Sequence, residues 1–303
     1  MDAPLPELPF DAWRPTKETL HLYAQIVGKI RLALAPPRDH WWHVSLRVSA
    51  RGLTSRFIPH QGSGFEIELD FVDHALDVRT SRGERARVPL RDGLSVAEFH
   101  ERLFGHLRHY GIEAHIHGKP YDVAFGTKPF ATDGLHARYD ADAVTRFGTI
   151  LRWVAGAYEE FAGRFDGKTS PVHFFWHSFD LAVTRFSGRA AAPLGDDATE
   201  VERVAYSHEV ASFGFWPGDD DVHAPGFYAY AAPVPKGLVD EPLSTSEASW
   251  LPEDGMAVLS YDAVRRSSDP KKTLLDFCES AFVATTKTAR WDSARPKEIA
   301  RPA

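Results

Sequence analysis

The densest concentration of groups able to do chemistry is Ser170-Pro171-Val172-His173-Phe174-Phe175-Trp176-His177-Ser178-Phe179-Asp180, continuing to Arg185 and Arg189. Two imidazoles four residues apart would share a face on a helix and could hold a metal ion. The run is bulky, aromatic and alternating, however, and reads as a strand. Four residues of strand span ~13 Å, too far for two ligands on one ion. His115-Ile116-His117 has the better chelating spacing, because positions i and i+2 of a strand lie ~7 Å apart on one face. Glu113 shares that face, yet Ile112, Ala114 and Ile116 form the apolar side, so the histidines most simply point to water. A third candidate is Tyr206-Ser207-His208-Glu209. An imidazole titrates near neutral pH and suits general acid/base work, but neighbours on a strand face opposite ways, so His208 and Glu209 cannot pair directly.

Other chemistries find no motif. Neither Ser178 nor Ser207 lies in a nucleophile elbow. No phosphate-cradling loop is present, and Gly62-Ser63-Gly64 reads as a turn, so no nucleotide cofactor is expected. Lys and Arg total 35 against 42 Asp and Glu, a net charge of -7, with no long basic run. The nearest, Arg79, Arg82, Arg85 and Arg87, is interrupted by acids and Gly83 and reads as a hairpin tip, which argues against nucleic acid as a partner. The single cysteine, Cys278, excludes an internal disulfide. The start, Met1-Asp2-Ala3-Pro4, lacks a basic and apolar leader, and no apolar run approaches membrane-spanning length. A cytoplasmic protein without membrane partners is the expectation.

The elements that must position these residues follow from hydrophobic period. Leu20, Tyr23, Val27, Ile30 and Leu34 predict a helix from about Thr16 to Leu34, with His21, Gln25 and Lys29 on its solvent face. Trp42, Val44, Leu46 and Val48 alternate with polar residues, as do Phe65, Ile67, Leu69 and Phe71 with Glu66, Glu68 and Asp70. Both runs predict half-buried antiparallel strands, the acidic row being the polar face of a meander rather than a metal site. Strands are also predicted at 76–80, 86–90, 173–186, 206–215, 227–232 and 256–261. Ser95-Val96-Ala97-Glu98 is a capping box opening a helix that Gly111 ends. Asp140 caps a long helix over 141–165, and Ser268-Asp269-Pro270 opens the last one, with Cys278 in its buried stripe.

Helix, four strands, helix therefore occurs twice. The expected architecture is α+β, antiparallel sheets with helices packed on one face and an internal pseudo-repeat of an α-β-β-β-β-α unit. Unit one covers about 14–117, the Gly- and Pro-rich stretch 118–140 connects, and unit two covers about 141–290 within a single domain, 1–303. The segment starting at His40 can be laid on the one starting at His173 so that Ser45 meets Ser178 and apolar parity is kept.

Several longer motifs carry a resemblance. Leu20-His21-Leu22-Tyr23-Ala24-Gln25-Ile26-Val27-Gly28-Lys29 followed by His40-Trp41-Trp42 is similar to a bacterial family catalogued as domain of unknown function 5996. So are the Ser170–Trp176, Asp180–Arg189 and Tyr206–Val210 segments. The resemblance runs from about Leu8 to Trp291, implies one full-length domain and carries no activity with it. Its pattern does not require His at His43, His115, His117 or His177, which moves weight to His173, Asp180, Arg185, His208 and Glu209.

The residues then support a small-molecule site around 173–189 and 206–216. His173, Asp180, His208 and Glu209 are its candidate catalytic groups. Trp176 and Trp216 are its candidate walls, Arg185 its anion clamp and Arg189 a further candidate ligand-binding residue. From a different class, the same aromatics suit a non-catalytic scaffold or homo-oligomer that buries them in core and interface. A metalloprotein using His115 and His117 is the remaining alternative.

Overall fold

The computed structural model describes residues 4–220 and 222–291. It contains six α-helices and twelve strands in that range. Helix α1 spans Phe10–Leu34, beginning earlier than expected because Pro15 is tolerated inside it. The acceptor that Pro15 leaves unpaired is the carbonyl of Asp11, an exposed residue that water can serve. Strands β1 (Arg47–Val48), β2 (Gly52–Thr54), β3 (Ile58–His60), β4 (Ser63–Asp70), β5 (Ala75–Thr80) and β6 (Arg85–Pro89) follow, then helix α2, Val96–His109. Ser95 caps α2 by accepting from the Glu98 N–H, and Gly111 follows its end at φ 71°. Helix α3, Ala141–Gly163, is capped by Asp140 as its sequence requires.

The second half places β7 (His173–Phe175), β8 (Asp180–Ala190), α4 (Glu200–Ala205), β9 (His208–Trp216), β10 (Gly226–Ala232), β11 (Ala248–Leu251), β12 (Met256–Ser260), α5 (Tyr261–Arg266) and α6 (Pro270–Thr288). Each sheet has six strands where four were expected in each unit, the extra ones being short. All pairings are antiparallel. The first sheet runs β1-β2-β4-β5-β6 with β3 beside β4, and the second runs β11-β12-β10-β9-β8-β7. The two meet at one seam, where Leu46 and Phe174 exchange both backbone hydrogen bonds at 2.9 Å. One apolar cluster continues across that seam. It takes Ile67, Leu69 and Val78 from the first sheet and Leu181, Phe213 and Phe215 from the second. Phe99, Phe147 and Phe277 enter it from the helices.

Four expectations change. The 42–48 alternation yields strand only at Arg47–Val48, because His40 and Trp41 adopt left-handed backbone and turn the chain. The 173–186 run is two strands, broken at Phe179 with φ 60°. His115 and His117 are exposed as read, but they lie on extended chain outside either sheet. The fourth concerns His21, Gln25 and Lys29, which are buried rather than solvent-facing. Gln25 exchanges two hydrogen bonds of 2.8 Å with the backbone of Tyr121, and Lys29 donates to the Lys119 carbonyl at 2.7 Å. The polar stripe of α1 is the surface on which the connecting segment docks.

The acidic row of β4 behaves as the polar face of a meander. Glu68 accepts from Ser49 and Arg79, Asp70 from Arg51, and Asp77 on β5 from Arg85. Burial alone would raise the Asp70 carboxyl. The Arg51 guanidinium and the backbone N–H groups of Asp73 and Val72 outweigh it and hold it below the usual range.

Candidate functional site

Strand parity sorts the residues of the second sheet. Leu181, Val183 and Arg185 of β8 face the helices together with Phe213 and Phe215 of β9. Asp180, Ala182 and Thr184 take the opposite face, with Ser212, Gly214 and Trp216 of β9 and Tyr228 and Tyr230 of β10. That outward face carries the chemistry.

Its centre is Asp180, only 6% exposed. Ser178 donates to one carboxylate oxygen and the Tyr228 hydroxyl donates to the other at 2.5 Å. Tyr228 reaches it by lying flat across β9 where that strand has Gly214. A Cβ at Gly214 would stand 2.1 Å from the Tyr228 ring. Burial raises the Asp180 carboxyl, against the pull of Ser178, Tyr228 and His177. Burial likewise lowers His177, against the pull of Asp180 and Asp122. Burial thus holds both groups toward their neutral forms.

A second hydroxyl chain runs beside the first. Tyr230 stacks on Tyr228 with rings 6.0 Å apart, and its hydroxyl lies 3.1 Å from that of Tyr206. Tyr230 is also hydrogen-bonded to Ser212, which lies 2.7 Å from Thr184. Tyr206 and Tyr230 form one wall of a cavity of about 450 Å³, which Leu194, Asp197, Glu202 and Pro233 also line.

The residues singled out from sequence are placed in different surroundings. His173 is buried at the seam, its Nδ1 3.1 Å from Ser45 Oγ and its Nε2 without a partner. Trp176 packs against Gly28 of α1 and donates to the Val44 carbonyl, so it belongs to the core. Arg185 is 1% exposed, its guanidinium 3.4 Å from the Phe161 ring centre and bonded to Glu279 and the Phe161 carbonyl. Arg189 pairs with Glu209 and donates to the carbonyls of Ala289 and Arg290 after the end of α6. His208 lies 3.1 Å from Ser207 Oγ and edge-on to His40. Trp216 shares the outward face with Tyr228. Neither these seven nor Asp180 lines the cavity. Cys278 is buried, and burial pushes its thiol far up, so it is inert. Among the described residues no three His, Cys, Asp or Glu side chains are grouped as metal ligands are. No helix among them is long and apolar enough to cross a membrane.

Sequence reasoning reached Asp180, but of the tyrosines it reached only Tyr206, through its segment. The available signal was parity: Tyr228 and Tyr230 alternate with Phe227 and Ala229, so two phenols must share a face.

A family model described as "Family of unknown function (DUF5996)" matches residues 5–298. No curated protein and no solved structure matches the chain.

Proposed function

The chain belongs to that family of unknown function, and we propose that it binds a small polar molecule in the cavity walled by Tyr206 and Tyr230. In this reading the hydroxyl network and Asp180 behind the wall take up or release a proton. One observation carries it: the Tyr206–Tyr230 hydroxyl pair, 3.1 Å apart, stands at the cavity edge and continues inward through Ser212 to Thr184. The cavity, about 450 Å³, is within the range small-molecule sites occupy. Phenols offer both a donor and an acceptor, so a ligand rich in hydroxyl or carbonyl groups suits them better than an apolar one.

The test is thermal unfolding of the purified protein against a library of metabolites. A ligand present at a hundred times its Kd adds about 2.7 kcal/mol of stability. The expected hit loses most of that effect in Tyr206→Phe and Tyr230→Phe, each of which deletes one hydroxyl and keeps the ring. A ligand whose stabilisation is the same in both variants binds elsewhere and sinks the assignment.

A further inference from the structure

Four arginines from separate segments converge near the seam. Arg31 lies in the last turn of α1 and bonds through its guanidinium to the Ser55 carbonyl, beside Arg56. Arg47 stands opposite Thr54, whose hydroxyl accepts the Arg56 backbone N–H at 2.8 Å, and donates to the Val172 carbonyl at 3.1 Å. The Arg38 backbone N–H donates to His43 Nδ1 at 3.1 Å. Among the described residues none of the four is in an ion pair, and the guanidiniums of Arg38 and Arg56 have no hydrogen-bond partner, although the chain as a whole is acidic.

Like charges held together, with Glu159 near Arg47 but no ion pair to any of the four, repel one another, and a folded chain gains nothing from that alone. The surrounding donors point the same way. Arg31 Nε and Trp41 Nε1 are buried and unpartnered, and Trp41 stacks on His43 with rings 5.3 Å apart. Because His43 accepts at Nδ1, its neutral ring carries the proton on Nε2, a further donor. Burial, with Arg38 and Arg56 adding repulsion, lowers Arg31 to about 10. Burial, with Arg31, Arg56 and Arg38 outweighing Glu159, lowers Arg47 to about 10 as well.

We propose that Arg31, Arg38, Arg47 and Arg56, with the Trp41 and His43 ring N–H groups, form a binding site for the phosphate group of a small soluble phosphate ester. Guanidinium forks match phosphate oxygens two at a time, and a dianion relieves several repulsions at once. The site does not share residues with the cavity at Tyr206 and Tyr230, so it stands or falls independently of that reading.

Inorganic phosphate and pyrophosphate, titrated by calorimetry at low ionic strength with chloride as control, are the probes. Both are expected to bind, and the exposed pair Arg38→Gln/Arg56→Gln is expected to weaken them about 10-fold or more. Without anion the double variant is expected to melt no lower than the parent, because it relieves repulsion. A double variant that melts lower without anion makes the arginines structural and overturns the proposal. So does a parent that binds neither probe at millimolar concentration, or a double variant with unchanged affinity. Vesicles carrying phosphorylated lipid headgroups and a duplex oligonucleotide complete the test. If either binds while free phosphate and pyrophosphate do not, the partner is a membrane or a nucleic acid and the small-ester assignment fails.

Discussion

The Tyr228–Asp180 hydrogen bond crosses a whole strand, and it exists only because β9 has no side chain at Gly214. Two predictions belong to this scale. Tyr228→Phe removes a donor to a nearly buried carboxylate, which costs about 1–3 kcal/mol and raises the Asp180 carboxyl further. Urea unfolding reads the first effect, and a carbon-detected NMR titration of Asp180 reads the second. Unchanged values in both would mean that the hydroxyl contributes nothing. The second concerns His21, which burial and nearby Lys17 depress from 6.5 to about 3. The folded ring refuses a proton that the unfolded chain accepts, so its stabilising contribution is present above pH 6.5 and is lost as pH falls toward 3. The slope is up to ~1.4 kcal/mol per pH unit. His21→Gln is expected to flatten the fall in stability between pH 7 and pH 5, measured by urea unfolding at each. A slope as steep as the parent's would show that His21 is not the group responsible.

At the scale of elements, what was legible in the sequence is what is decided locally. Ser95, Asp140 and Asp269 cap α2, α3 and α6 because a side-chain oxygen two or three residues before an orphan N–H needs nothing from the rest of the fold. The strands of the meanders were legible for the same reason, since period and turn residues lie side by side. The strand breaks were not, because left-handed backbone at His40, Trp41 and Phe179 carries no glycine to announce it. Nor was the burial of Gln25 and Lys29, whose covering segment lies about ninety residues on in the chain, or of His21, whose ring meets the His177 carbonyl farther on still. The arginine cluster draws on four segments and forms no basic run. The docked segment yields a prediction of its own. Gln25→Ala leaves both the N–H and the carbonyl of Tyr121 without their partner, which costs about 1–3 kcal/mol. It is expected to speed amide hydrogen exchange over 118–130 while leaving exchange in β8 and β9 unaltered. Equal acceleration everywhere would mean that the variant destabilises the fold globally and that the stripe has no particular hold on the connection.

At the scale of the whole molecule, the issue is whether two six-stranded sheets make one cooperative unit. Chains beyond about 150 residues commonly unfold in steps, and among the described residues only one backbone bridge joins the sheets. The side chains around that bridge argue for coupling. Leu46 and Phe174 are both fully buried. Ser45 meets His173, Arg47 donates to the Val172 carbonyl and Trp176 donates to the Val44 carbonyl, so three side-chain hydrogen bonds cross the seam. Beneath them α1 and α3 supply apolar side chains to one cluster shared by both sheets. Opening the seam would expose all of this at once while leaving each sheet with an uncovered edge strand. A single calorimetric transition is therefore expected, with the van't Hoff enthalpy equal to the calorimetric one. Phe174→Ala empties the point where the sheets touch and is expected to cost about 3–5 kcal/mol, and to split or broaden the transition. A core phenylalanine far from the seam, such as Phe277, gives the comparison: its replacement by Ala should lower the melting temperature comparably but leave one transition. Two resolved transitions in the parent protein would show that the seam only abuts two independent units. If the parent melts once and only the Phe174 variant melts twice, the seam is what joins the sheets.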